Sequence, residues 1–114
     1  MKAKARRTLV KSAPELWQLA DDVARMESWM AGVVGASDPV PVEVTDRRPE
    51  RALAWRSALP GTEPTRIAIE LAERGFGTAV SITAKGANSG DPGPVLERLL
   101  DELGSPERRP FTAR

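Results

Sequence analysis

The most constraining feature of the sequence is the alternation of apolar and polar residues in three successive segments between positions 51 and 85. A period of two is typical of β-strands that bury one face and leave the other face wetter. Gly- and Pro-rich stretches at 60–64 and 74–77 separate the segments and predict turns. The positions that share the apolar side are Leu53, Trp55, Ser57 and Leu59, then Ile67, Ile69 and Leu71, then Thr78, Val80 and Ile82. We therefore predict three antiparallel strands whose apolar face needs a cover.

Two further strands are predicted before this run. Residues 6–11 alternate weakly, with Leu9 on one side, and residues 42–45 alternate around Val42 and Val44. Residues 46–50 predict the turn into the next strand, and Arg56 is expected to pair with Glu70 on the neighbouring strand. The Gly- and Pro-rich residues 32–41 are unsuited to a central strand. The sheet should therefore be antiparallel, with no central strand in residues 32–41.

Three helices supply the cover. Ser12 followed by Glu15 forms a capping-box pattern with Pro14 in the first turn, which predicts a helix start. Asp21 or Asp22 is expected to cap a second short helix that ends at Gly32. A last helix begins after Asp91 and Pro92, ends at Gly104 and carries a Leu-rich stripe, with Arg98 and Glu102 expected to pair across one turn.

Composition narrows the chemistry that is open to the chain. The sequence has no Cys, His or Tyr, so thiolate nucleophiles, Cys-based zinc sites and a His general base are excluded. We expect no catalytic residues, no metal site and no cofactor, and an enzyme is the less favoured interpretation. Seventeen basic residues nearly balance sixteen acidic ones, which gives no global field to attract nucleic acid or an anionic membrane, and we expect no nucleic-acid partner.

Length and hydropathy place further limits. A chain of 114 residues fits a single domain, predicted at residues 1–104, with a polar and mobile tail at 105–114. No run approaches the roughly 18 apolar residues of a membrane span, and no signal-peptide pattern follows the basic start. We therefore expect a cytoplasmic protein without an integral membrane segment.

The order of elements and four short motifs resemble the START-related helix-grip superfamily, which includes polyketide cyclase/dehydrase and lipid-transport proteins (SRPBCC-like). The motifs lie at residues 12–17 (SAPELW), 26–30 (MESWM), 51–57 (RALAWRS) and 77–82 (GTAVSI). The resemblance implies an α+β fold in which a curved antiparallel sheet grips a C-terminal helix. Because the last helix is short and a hairpin is missing before residue 42, this chain would be a truncated member.

In that superfamily the space between the sheet and the last helix holds a hydrophobic or amphipathic ligand. The resemblance and the apolar stripes together imply the following ligand-binding residues: Trp17, Met26, Trp29, Met30, Leu53, Trp55, Ile67, Ile69, Val80, Ile82, Leu96, Leu99 and Leu100. Each of these positions is also explained by ordinary core packing. The predicted function is non-covalent binding of a small lipid or polyketide-like molecule.

The sequence leaves two alternative functions open. A polyketide cyclase or dehydratase would need a proton donor in the cavity, and Ser57, Thr78 or an acidic residue would have to supply it. A shortened sheet also leaves an apolar patch that a second copy of the chain or another protein would cover. The partners expected are therefore a small hydrophobic molecule and, alternatively, a second copy in a homodimer.

Overall fold

Five strands and three helices alternate along the chain in a computed structural model that describes residues 2–58, 61, 63–86 and 91–104. The elements are β1 (Lys2–Leu9), α1 (Ala13–Ala20), α2 (Val23–Val34), β2 (Val42–Arg48), β3 (Ala52–Ser57), β4 (Arg66–Arg74), β5 (Gly77–Lys85) and α3 (Gly93–Gly104). The strands form one antiparallel sheet in the order β1-β5-β4-β3-β2. This is the predicted α+β helix-grip arrangement, because α3 and the α1–α2 pair pack on one face of the sheet.

The predicted alternation fixes which side chains face the helices. Trp55 lies opposite Ile67, and Leu53 lies opposite Ile69, across the β3–β4 pair. All four side chains are at most 1% exposed, whereas Ala54 between them faces the other side of the sheet. The period-two interpretation is confirmed for the described part of the three strands. Leu59 and the tail at residues 105–114 lie outside the described residues.

The helix starts follow the predicted capping chemistry. The Glu15 backbone N–H donates to Ser12 Oγ at 3.3 Å, and the Ser12 N–H donates to Glu15 Oε1 at 3.2 Å, which completes a capping box. Asp22 caps α2 by accepting from the Ala24 N–H at 3.0 Å. These side chains satisfy backbone donors that the first helical turn leaves unpaired.

The predicted end of α2 at Gly32 is wrong, because the helix continues to Val34 and stops at Gly35 with φ 78°. A left-handed glycine is a frequent helix terminator. Gly32 has a different role within the helix. A Cβ at this position would lie 3.1 Å from Val95 Cγ1, so the missing side chain lets α2 and α3 approach closely.

The strand bounds also differ from the sequence prediction. β1 covers Lys2–Leu9 rather than residues 6–11, and it pairs with β5 along its whole length. β2 runs to Arg48, because a bulge between Val44 and Asp46 shifts its register and lets the strand continue. Residues 46–48 are therefore strand and not turn. Between α2 and β2, residues 35–41 contain no strand.

Two ion pairs form with partners other than the expected ones. Arg56 Nε donates to Glu43 Oε1 at 2.7 Å, because Glu43 lies directly opposite Arg56 on β2, and the expected pair with Glu70 is absent. Glu102 pairs with Arg25 on α2 at 3.4 Å rather than with Arg98 on its own helix. Arg56 misses Glu70 because the strand register places Arg66, and not Glu70, opposite it on β4. For Glu102, a contact between two helices replaces the expected pair along α3. Among the described helices none is long and apolar enough to cross a membrane.

Candidate ligand-binding interior

The thirteen residues predicted to bind a ligand all lie in or against the interior between the sheet and the helices. Twelve of them are at most 5% exposed and belong to one continuous apolar cluster. Trp17, on α1, is the exception, because it is half-buried and packs against the edge of that cluster. The sheet contributes the floor of this interior, α2 contributes one wall, and Leu96, Leu99 and Leu100 of α3 close it.

Two indole rings lie next to each other in this interior. Trp55 of β3 and Trp29 of α2 have ring centroids 6.0 Å apart with their planes tilted by 34°. This separation is within the range of favourable aromatic pairs. Trp29 Nε1 donates to Glu102 Oε2 at 3.0 Å, so the same ring also connects α2 to α3. The closing helix is therefore tied to the rest of the interior through Trp29.

The indole N–H of Trp55 has no such partner. Trp55 is fully buried, and its Nε1 is the one buried side-chain polar atom of the described residues without a hydrogen bond. A buried donor without an acceptor typically costs about 1–3 kcal/mol of stability. An indole N–H can only donate, so only an acceptor atom can satisfy it. Residue type and spacing identified Trp55 as a candidate, but neither property indicates whether its N–H finds an acceptor.

The two buried hydroxyl groups that the enzyme alternative requires are engaged with the backbone. Ser57 Oγ accepts from the Thr65 N–H at 3.0 Å, and Thr78 Oγ1 donates to the Lys11 carbonyl at 2.7 Å. Ser57 thereby joins β3 to the residue before β4, and Thr78 joins β5 to the segment after β1. Neither hydroxyl has a carboxylate or an amine as its hydrogen-bond partner here. In the ranges that the structure describes, no group of three or more potential ligands could hold a metal ion.

An ion-pair clasp holds α3 over the interior from the sheet edge. Arg7 projects from the inner side of β1, and its guanidinium donates to Asp101 and, at 2.7 Å, to Glu97. The hydrogen bonds that Arg7 donates to Asp101 and, to a smaller extent, to Glu97 raise the pKa of Arg7 above its ordinary value. These two carboxylates lie one turn apart on α3, so a single arginine fixes the helix at two points.

Three clefts lined wholly by described residues open on the surface, and they contain none of the thirteen predicted ligand-binding residues. One of them, of about 480 Å³, lies on the outer face of the sheet between Arg6, Arg51 and Arg74. Another lies at the tip of the β4–β5 hairpin beside Val10 and Phe76. The interior around Trp55 is therefore separate from these clefts.

The fold has counterparts among solved structures. A protein from Deinococcus radiodurans has a TM-score of 0.70 at 18% identity, over 91% of this chain and 94% of that one. CalU16 from Micromonospora echinospora has a TM-score of 0.64 at 17% identity, over 90% of this chain and 73% of that one. The Aha1 dimer from Colwellia psychrerythraea has a TM-score of 0.64 at 20% identity, over 91% of this chain and 96% of that one.

These likenesses confirm the predicted helix-grip fold. Identities of 20% or less do not carry an activity from one protein to the other. No protein-family model matches the sequence, and no curated protein matches it either. The function must therefore be argued from the interior of this chain.

Proposed function

We propose that the protein binds a small hydrophobic or amphipathic molecule, of the lipid or polyketide-like kind, between the sheet and α3. The observation that carries the proposal is the unpaired N–H of Trp55, which lies fully buried in the apolar interior. Proteins seldom leave a buried donor without an acceptor, and each such atom calls for an explanation, of which a functional role is one. A ligand acceptor at this atom would remove the cost of leaving it unpaired.

The surroundings of this N–H define the chemistry of the ligand. Ile67 lies opposite Trp55 on the next strand, and Trp29 covers it from α2. These apolar neighbours favour a ligand whose main part is apolar. The acceptor should be neutral, such as a ketone, ester or hydroxyl oxygen, because a buried carboxylate would need a cationic partner. The basic residue facing the interior nearest α3, Arg7, is already paired with Glu97 and Asp101.

Entry to the interior requires α3 to move away from the sheet. The twelve buried positions are closely covered, and the Arg7 pairs and the Trp29–Glu102 hydrogen bond hold the helix in place. A ligand that binds only the opened form has its affinity lowered by the fraction of molecules that are open. Weakening the contacts that hold α3 should therefore increase the affinity for ligand.

Matched pairs of probe molecules test the proposal. Tetralone and tetralin, like decanone and decane, differ by one carbonyl oxygen and have similar apolar bodies. We expect both ketones to raise the thermal midpoint and to bind at least about fivefold more tightly than the hydrocarbons, because each hydrogen bond contributes about 1 kcal/mol or more. Trp55→Phe should abolish this preference, and the control Trp17→Phe should retain it. Equal binding within each pair, or no binding of any probe, would refute the proposal.

A second copy of the chain is the alternative partner. It is supported by the dimeric state of the Colwellia protein and by two exposed apolar residues at one end of the sheet, Phe76 at 101% and Val10 at 87% relative exposure. Light scattering at increasing concentration tests this alternative. A dimer that Phe76→Ser dissociates would support it, and a monomer at all concentrations would exclude it.

A further inference from the structure

The strand register places four basic residues side by side on the outer face of the sheet, away from the helices. Lys2 on β1 lies opposite Lys85 on β5, Lys85 lies opposite Arg66 on β4, and Arg66 lies opposite Arg56 on β3. All four side chains are exposed. Neighbouring strands lie about 4.8 Å apart, so this basic row spans about 14 Å across the sheet.

The basic row is largely uncompensated within the protein. Like charges that face each other on adjacent strands repel and destabilise the sheet. Arg56 is relieved by Glu43, which lies opposite it on β2 with its Oε1 2.7 Å from Arg56 Nε. Within the described residues, Lys2, Arg66 and Lys85 make no ion pair. An anionic partner on this face would therefore remove a repulsion that the fold itself creates.

The rest of the outer face is also basic. The strands direct four more exposed basic residues outward, namely Lys4, Arg6, Arg48 and Arg74. The acidic residues of the face are Glu43, Asp46 and Glu70. This face thus carries eight basic residues against three acidic ones, although the whole chain has a net charge of only +1. The fold separates charges that are nearly balanced in the sequence.

Small residues form the outer surface of the sheet between these charged side chains. Its outward positions are occupied by small side chains, including Ala54, Ala68, Ala72, Ala79 and Ser81, so the long basic side chains project beyond it. No aromatic residue faces outward from the five strands, so nucleic-acid bases have nothing to stack on. An extended anionic surface, by contrast, contacts several projecting cations at once.

We propose that the outer face of the sheet docks on the surface of an anionic phospholipid bilayer, with the basic row, Lys4 and Arg6 against the lipid phosphates. Clusters of four to eight basic residues associate with anionic leaflets, and each residue strengthens binding by about fivefold. The protein would lie on the membrane through charge alone. The helices and the interior ligand region would face away from the bilayer, so this docking does not depend on the proposed ligand.

Flotation with lipid vesicles tests this docking. We expect the protein to float with phosphatidylcholine vesicles that contain phosphatidylserine, to stay behind with pure phosphatidylcholine, and to be released by salt as charges are screened. Arg66→Glu should weaken binding to the anionic vesicles about thirtyfold, because one favourable charge is replaced by a repulsive one, and Arg66→Gln should weaken it about fivefold.

The matched control is Arg98→Glu, which makes the same charge change at an exposed position of α3. We expect it to leave binding within about twofold of wild type. An equal loss in both charge-reversal variants would show attraction by net charge alone and would overturn the proposal. Failure to float with anionic vesicles at low salt would overturn it as well. So would binding of an oligonucleotide or polyphosphate that anionic vesicles do not displace.

Discussion

Trp29→Phe and Trp55→Phe remove the same part of an indole ring from adjoining places in the core, yet we expect them to differ in cost. The two side chains are 5% and 0% exposed, so the loss of buried apolar area is nearly the same in both variants. The difference lies in the N–H group. Trp29 donates to Glu102, whereas Trp55 has no acceptor.

The expected difference follows from these two atoms. Trp29→Phe loses a hydrogen bond to a carboxylate, and a value of about 1.5 kcal/mol is appropriate because the Glu102 side chain is 50% exposed. Trp55→Phe removes an unsatisfied donor and recovers about 1–3 kcal/mol. Trp29→Phe should therefore be the more destabilising variant by about 2.5–4.5 kcal/mol. This corresponds to a gap of roughly 1–3 M in the urea midpoint of a small domain.

Urea unfolding of the two purified variants, followed by far-ultraviolet circular dichroism, measures this difference without relying on tryptophan fluorescence. Trp17→Phe serves as the reference variant, because it measures the loss of stability when an indole is removed from a half-buried position on α1. If Trp55→Phe costs as much as Trp29→Phe or more, then Trp55 Nε1 has an acceptor in solution. The argument for a ligand acceptor at that atom would then fail.

Three further substitutions test the fold that positions this interior. In urea unfolding, Gly77→Ala should destabilise the protein by at least about 2 kcal/mol. The added Cβ would overlap the Leu9 carbonyl oxygen and would force β1 away from β5. A loss below about 0.5 kcal/mol would contradict this packing. Ser12→Ala should cost about 0.5–2 kcal/mol in the same assay through loss of the capping box, whereas a neutral change would show that water replaces it. Arg7→Ala removes the ion pairs with Glu97 and Asp101, so it should accelerate amide hydrogen exchange in α3 more than in α2. It should also tighten ketone binding. Unchanged exchange in α3 would show that the ion-pair clasp does not hold the helix.

Local patterns predicted the inner face of the sheet and the helix starts well. The alternation around Leu53 and Trp55 depends only on strand geometry, and the Ser12 capping box depends only on neighbouring residues. The sequence predicts a start for β1 that is four residues too late, because the inward positions before Leu9 include Ala3 and Ala5. These small side chains differ little in hydrophobicity from their neighbours. Its pairing with β5, whose partner residues lie 69 to 83 positions further along the chain, decides where it begins.

The features that matter for function depend on contacts between distant segments. Whether Trp55 Nε1 meets an acceptor is decided by the packing of α2 over β3, which no local pattern records. The pair between Glu102 and Trp29 joins residues 73 positions apart. The basic row likewise exists only because four strands pair in one particular register. Composition alone indicates a nearly neutral chain and does not reveal the basic row.

The proposed ligand site depends most directly on one proton, the indole Hε1 of Trp55, which ¹H–¹⁵N correlation NMR observes. The three tryptophans give three indole signals, which the Trp→Phe variants assign. On titration with tetralone we expect the Trp55 signal to move downfield and to saturate, because its N–H acquires an acceptor, while the Trp17 signal stays nearly fixed. A Trp55 signal that does not move while the ketone binds elsewhere would contradict the proposed site.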